Sequence, residues 1–255
     1  MFEARNFPFT LSALCFIALV ISVRVGIYSR KWQWALKENE REDFGIILAA
    51  SLTLLGLIMG FSFSMASARY DQRKNYEEAE ANAIGTEYLR ADLLPSADAA
   101  RVRGLLKQYL QQRVLFYQAS DNRQLQEIAT YTARLQDDLW VAVRVPASAT
   151  PTPIVALVLA GMNDVLNSEG YTQAAWWNRI PTAAWALMLA IAICCNLLLG
   201  YSSHGSERRA IMFMVLPLLV STAFLLIADI DTPSGGVIRV RPQNLIRLVE
   251  SFHQK

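Results

Sequence analysis

The chain is 255 residues long, 53% hydrophobic and 18% charged, with a mean hydropathy of +0.24; soluble proteins run at roughly 45–50% apolar and about 25% charged, so an ordinary soluble enzyme is excluded. Its 24 basic and 22 acidic side chains leave a net charge of +2, too little for the field that draws proteins onto nucleic acid. The three cysteines (Cys15, Cys194, Cys195) lie in apolar runs and the two histidines (His204, His253) are far apart, so the sequence spells out no metal site, cofactor site or disulfide framework.

A helix crossing about 30 Å of hydrocarbon needs roughly 20 apolar residues. Four stretches qualify: 7–28, whose one charge is Arg24 near its end, then 44–68, 180–200 and 210–228, which carry none. The first is read as a retained span and not a secretion signal, because it is long, lacks a clear small-residue cleavage site and precedes three more spans. Tyr28, Trp32, Trp34, Tyr70, Trp176, Trp177 and Tyr201 sit where interfacial anchors belong.

Between spans two and three lie residues 69–179, with 12 basic and 13 acidic side chains, a water-facing insert. Its apolar residues repeat at three and four, as in Val102, Leu105, Leu106, Tyr109, Leu110 and in Leu125, Ile128, Leu135, Leu139, which predicts helices. Pro95-Ser96 with Asp98 marks one helix start, Asp121 with Gln124 has capping-box spacing for the next, and Thr152-Pro153 opens a third over 154–166, too short to span. Neither proline nor a turn cluster interrupts residues 68–94, so span two is expected to continue into water as one long helix. Glu77, Glu78, Glu80 and Glu87 on it, with Arg73, Lys74 and Arg90 nearby, read as a solvated, salt-paired face.

After the fourth span, DTPSGG (231–236) is a turn, 237–240 a short extended piece, and Pro242 starts an amphipathic helix with Leu245, Leu248 and Phe252 on one side. The expected organisation is therefore all-α: membrane helices in 1–68, a helical cytoplasmic domain in 69–179, membrane helices in 180–230, and a C-terminal turn and helix in 231–255. Lys and Arg near span ends number eight on the side of the termini and insert (Arg5, Arg69, Arg73, Lys74, Arg179, Arg239, Arg241, Arg247) against six on the other (Arg30, Lys31, Lys37, Arg41, Arg208, Arg209). The count favours termini and insert in the cytoplasm, while Arg24 pulls the opposite way.

GFSFSMASARYDQRK (60–74) resembles the end of the second span in bestrophins, where Gly-Phe is followed eight residues after the Phe by an Arg and then an aromatic, here Phe61, Arg69 and Tyr70. EEAEANAIGTEYLRADLLP (77–95), together with DTPSGGVIRV (231–240), more closely resembles a family of bacterial membrane proteins described as bestrophin-like. The resemblance implies a pentameric ion channel in a bacterial inner membrane, whose partners are identical copies, membrane lipid and small inorganic ions. It implies that span two lines the pore, with a constriction built from Thr53, Leu57 and Phe61. Thr53 departs from the family pattern, where an apolar residue is expected. The dense acidic run that holds calcium in animal members is missing, and Asp229 with Asp231 cannot supply the six to eight oxygens calcium takes.

The residues alone leave alternatives open. Leu57 and Phe61, four apart, share a face whether it looks at an ion path, another helix or lipid. Gly56, Gly60 and Ser64 form a small-xxx-small ladder on an adjacent face, read as helix packing. Arg69, Arg73 and Lys74 fall where span two leaves lipid, as snorkelling cations or as a collar at a pore mouth. Without G-x-S-x-G, P-loop, H-E-x-x-H or G-x-G-x-x-G, an enzyme has no nucleophile, base or cofactor loop to offer. A channel and a non-conducting oligomeric scaffold or sensor are the two readings carried forward.

Overall fold

A computed structural model describes residues 8–32, 38–119, 121–202 and 210–253. Phe7, the expected anchor Trp34, His204 and the flanking cations Arg5, Lys37, Arg208 and Arg209 lie outside the described residues, as do the side chains of Arg30, Lys31, Trp32 and Arg41. The chain is all-α, with eight α-helices and no strand among the described residues: α1 (Pro8–Trp32), α2 (Glu38–Arg90), α3 (Ser96–Gln118), α4 (Asn122–Ala149), α5 (Pro153–Trp177), α6 (Thr182–Ser202), α7 (Ala210–Asp231) and α8 (Gln243–His253). Four stretches are long and apolar enough to cross a membrane: Pro8–Ser29, Asp43–Leu93, Pro153–Ser202 and Phe213–Asp231. This is an integral membrane protein. The chain divides into two compact units, one of residues 1–68 and 179–238, the other of 69–178 and 239–255.

In the membrane unit, α1 packs on α6 and α7. The α1–α6 contact is glycine-made: a Cβ on Gly26 would lie 2.1 Å from the Leu197 carbonyl oxygen, and one on Gly200 would lie 2.1 Å from that of Val23. Small residues let helix backbones meet where lipid supplies no hydrophobic drive. Ser12 Oγ donates to the Ser221 carbonyl at 2.9 Å and ties α1 to α7. The core of this unit holds Cys15, Leu19, Leu55, Met188, Ala192, Cys195, Val220 and Phe224. At the end of α7 the carboxylate of Asp231 accepts from the Ile180 amide at 3.0 Å. Asp229 accepts from the Val237 and Ile238 amides, both at 2.8 Å. The 231–236 turn thus wraps Asp229, and Gly236 permits it, because a Cβ there would stand 2.5 Å from Asp229 Oδ1.

The second unit is a helical domain whose core includes Ile84, Val102, Leu106, Leu110, Leu139, Val143, Val158, Met162 and Leu245. Its helices begin where local chemistry provides caps. Asp121 accepts from the Arg123 amide at 3.3 Å to open α4, and Thr152 Oγ1 accepts from Val155 at 3.2 Å to open α5, with Pro153 in the first turn. Each cap satisfies one of the four orphan amides of a helix start. The 154–166 stretch, expected to pack instead of span, buries Val155, Val158, Met162 and Val165 in this core. A short 3-10 turn, Ala91–Leu93, ends α2. Leu245 and Phe252 of α8 are buried, Phe252 stacking on Tyr88 with centroids 3.9 Å apart.

One expected anchor is corrected. Trp176 is buried, its ring packed against Phe116 (4.9 Å between centroids) and Tyr117 (5.4 Å) inside the second unit. Its neighbour Trp177 is 74% exposed. Helix α5 runs on to residue 177, and helical rotation of about 100° per residue sends two adjacent tryptophans in different directions.

Candidate functional site

Helix α2 is unbroken for 53 residues, about 80 Å at 1.5 Å per residue. Within the membrane unit it turns a narrow stripe inward, with Leu55, Ser62 and Ala66 buried and Leu52, Ile58 and Met59 against the core. Phe44 packs on Tyr201 of α6 with centroids 5.6 Å apart, and most of the rest of the span looks out of the chain. Only 6% of its most apolar window is buried, against 28% for α1 and 44% for α7.

Thr53, Leu57 and Phe61 fall together on the outward face, Leu57 54% and Phe61 62% exposed. The hydroxyl of Thr53 donates to the Ala49 carbonyl at 2.9 Å, so its one donor is spent within its own helix and its methyl completes the apolar row. Gly56, Gly60 and Ser64 lie beside this row and are also outward. A Cβ on Gly56 or Gly60 would meet nothing within 4 Å, unlike those on Gly26 and Gly200.

The cations past the span end do not form a set. Arg73 is 2% exposed; its Nε donates to the Ala175 carbonyl and its Nη2 to that of Asn178, each at 3.2 Å. It caps the C-terminus of α5, where a cation complements the helix dipole, and does not stand at an open mouth. The periodicity agrees: 16 residues at about 100° each put Arg73 roughly 160° from Leu57 around α2. Arg69 is half-buried and Lys74 exposed.

The expected solvated glutamate face is also corrected. Glu78 is exposed, but Glu77, Glu80 and Glu87 are 1%, 0% and 0% exposed. Glu77 accepts from the Asn244 amide at 2.9 Å, the Leu245 amide at 3.0 Å and the Asn244 side chain at 2.7 Å, so a carboxylate from α2 caps the start of α8. Glu80 takes Arg113 as its ion-pair partner, with Thr172 Oγ1 at 3.2 Å and Tyr117 Oη at 3.4 Å also donating. Glu169 adds a second carboxylate 3.7 Å from Arg113 Nη1. Burial is the largest influence on Arg113 and works against its charge, but the charges of Glu80, Tyr109 and Glu169 and the Glu80 hydrogen bond together outweigh it and keep the guanidinium protonated. Burial, reinforced by the Glu80 charge, keeps the Tyr109 and Tyr117 phenols above the ordinary tyrosine range. Sequence reasoning missed this network. Its signal was Arg113 itself, a cation in phase with Leu106, Tyr109 and Leu110 on the apolar face of α3.

Glu87 differs from the other two. Neither carboxylate oxygen has a hydrogen-bond partner among the described residues. Burial pushes its pKa up from 4.5 to about 8; Arg90 partly opposes the rise and Asp164 on α5 adds to it. A folded-state value above the unfolded one means that the native protein holds this proton while the unfolded chain releases it. The group's contribution to stability is therefore fully present below about pH 4.5 and is lost as pH rises toward about 8. Glu87→Gln removes that loss. Melting curves of the variant are expected to cross this window with a flatter pH dependence and a higher midpoint at its upper end. Parallel wild-type and variant curves would refute the assignment.

Among the described residues no group of three His, Cys, Asp or Glu could hold a metal ion. The site is thus an apolar helix face, and its relatives can be named. A family model for the bestrophin-like domain matches residues 15–245. The chain belongs to the bestrophin-like family. Solved structures of a bacterial bestrophin homolog from Klebsiella pneumoniae share the fold. One single-residue variant matches with a TM-score of 0.68 at 13% identity, over 96% of this chain and 99% of the homolog. A second variant gives 0.65 at 14%, over 95% and 98%, and the structure obtained by Zn-SAD phasing gives 0.63 at 14%, over 93% and 98%. No curated protein matches the chain. The alignment runs over nearly the whole of both chains, and in this bestrophin-like protein α2 is the longest helix among the described residues.

Proposed function

We propose that this protein is an oligomeric ion channel of bestrophin-like architecture, five copies around one axis, with α2 lining the path and Thr53, Leu57 and Phe61 forming its narrow point. The observation that carries the reading is the bareness of the α2 span within its own chain, 6% buried with Phe61 62% exposed. A span that packs so little against its own chain has its faces left for lipid and for other copies. In a ring, the row at 53, 57 and 61 looks to the axis while Gly56, Gly60 and Ser64 meet the neighbour. Rings of Leu and Phe gate by excluding water, with no charged filter. Small inorganic ions are the cargo, and membrane lipid surrounds the assembly.

In this reading residues 69–179 with 231–255 form a cytoplasmic vestibule, and 1–68 with 180–230 the membrane part, in a bacterial inner membrane. Arg69 and Lys74 remain as the cations near the mouth. Recording from purified protein in planar bilayers tests conduction: discrete currents are expected. Silence from a correctly assembled oligomer would replace the channel with the sealed scaffold or sensor.

The packing face makes its own prediction. A Cβ at position 60 meets no atom of its own chain within 4 Å and the position faces outward, so Gly60→Leu is expected to fold and extract normally. Particle mass in detergent should nevertheless fall toward that of one 28.6 kDa chain, because close approach between neighbouring α2 helices is lost. An oligomer of unchanged mass would take the ladder out of the interface.

A further inference from the structure

Glu87 sits in a socket that α5 leaves for it. The side chain is 0% exposed, and neither oxygen has a hydrogen-bond partner among the described residues. Opposite it α5 presents Gly161, itself buried, where a Cβ would overlap both Glu87 Oε2 and Arg90 Nη1. The carboxyl group of α2 and the guanidinium three residues further along therefore rest on the same bare stretch of α5 backbone, with no hydrogen bond between them. Asp164, exposed and three residues beyond Gly161 on α5, is the other charge felt at the site, and no charge on α3, α4 or α8 among the described residues adds to these two. The nearby charges are engaged elsewhere. Asp92, on the 3-10 turn that packs against α5, pairs with Arg103 of α3. Arg103 and Lys107 lie over the Tyr88 ring, and Lys107 donates to the Phe252 carbonyl of α8 at 3.2 Å.

We propose that Glu87 is a proton-operated latch between α2 and α5: neutral, it closes the seam over Gly161, and ionised, it opens the seam by drawing in Arg90 and water. The arrangement described is the closed form, because a charge without a donor is far costlier to bury than a neutral carboxyl. Loss of the proton reverses the preference. The carboxylate then needs donors, and α5 offers none at a glycine whose own amide is spent inside its helix. The two sources in reach are Arg90 and solvent. Burial pushes the group up to about 8, so the change falls in a mildly alkaline range where ordinary carboxylates are already ionised. It is also local, since Glu77 at the start of α8 and Glu80 on Arg113 hold the preceding turns of α2 to the rest of the unit.

The intact protein in detergent is titrated across about pH 6–10, two units either side of that midpoint, and the infrared carbonyl band of a protonated carboxyl is followed. A band that disappears with a midpoint of about 8 and is absent from Glu87→Gln is expected. Arg90→Gln removes the charge that favours the ionised form and should move the midpoint up; Asp164→Asn removes the charge that opposes it and should move the midpoint down. Neither of these side chains is buried, so both variants are expected to fold. Hydrogen exchange reads the seam itself. Above the midpoint the amides of 84–93 and 157–166 should exchange several-fold faster in wild type than in Glu87→Gln at the same pH, below it the two should agree, and α8 should not respond. Neither readout requires conduction, so a silent protein leaves the test intact. A midpoint in the ordinary carboxylate range, a midpoint unmoved by the Arg90 and Asp164 variants, or equal seam exchange in wild type and Glu87→Gln above it would overturn the proposal.

Discussion

Arg113→Ala is expected to cost about 3–5 kcal/mol of folding stability, the loss typical when one member of a buried ion pair is removed. Arg113 is 1% exposed and Glu80 0%, so the variant leaves a carboxylate in the core with only the Tyr117 and Thr172 hydroxyls as donors. Glu80 must then be protonated or hydrated, and either disturbs the buried surroundings it shares with Tyr117 and Thr172. Replacing both partners with apolar residues of similar volume should recover much of the loss, because the penalty lies in the orphaned charge and not in the absent pair. Denaturant titration followed by tryptophan fluorescence measures both variants, with Trp176 reporting from the same core. A single variant within about 1 kcal/mol of wild type would show that the network contributes nothing special.

Phe61→Ala is expected to raise single-channel conductance or open probability about tenfold, equivalent to about 1.4 kcal/mol off the barrier. In a ring of five copies the change deletes five aromatic side chains from one level of the path, and a wider apolar neck wets more readily. Leu57→Ala, one turn away on the same face, should act in the same direction with smaller effect. The comparison that gives these variants meaning is α1, where Leu14 and Ile17 are as exposed as Phe61, at 60% and 54%. Truncating either should leave currents unchanged if that surface meets only lipid.

The spans were legible because hydrocarbon imposes a length that few other structures need, and the helix starts at Ser96, Asn122 and Pro153 were legible because their signals are local, a preceding proline for the first and side-chain caps for the other two. Local rules could not tell which face of α2 is covered. Glu77, Glu80 and Glu87 look like a solvated row when read against near neighbours such as Lys74. Followed in phase from Leu55, Ser62 and Ala66, the same helix brings Arg73, Glu77, Glu80, Ile84 and Glu87 onto one stripe, and each of these residues is buried. The long-range partners Arg113, Asn244 and Thr172 are what make its charges tolerable, and no spacing rule names a partner 33 or 167 residues away. The candidate constriction at Thr53, Leu57 and Phe61 came from family likeness, since the periodicity alone left its face without a destination.

Site-directed crosslinking at residue 61 tests the orientation of α2 most directly. With Cys15, Cys194 and Cys195 replaced by alanine, Phe61→Cys places five thiols around the axis. A short bis-maleimide should then join subunits into covalent dimers and higher ladders in membranes, while Leu14→Cys and Ile17→Cys on α1 remain monomeric. An intact oligomer whose Cys-substituted position 61 reacts with a lipid-soluble maleimide yet never links two chains would place that side chain among acyl tails and contradict a path lined by α2.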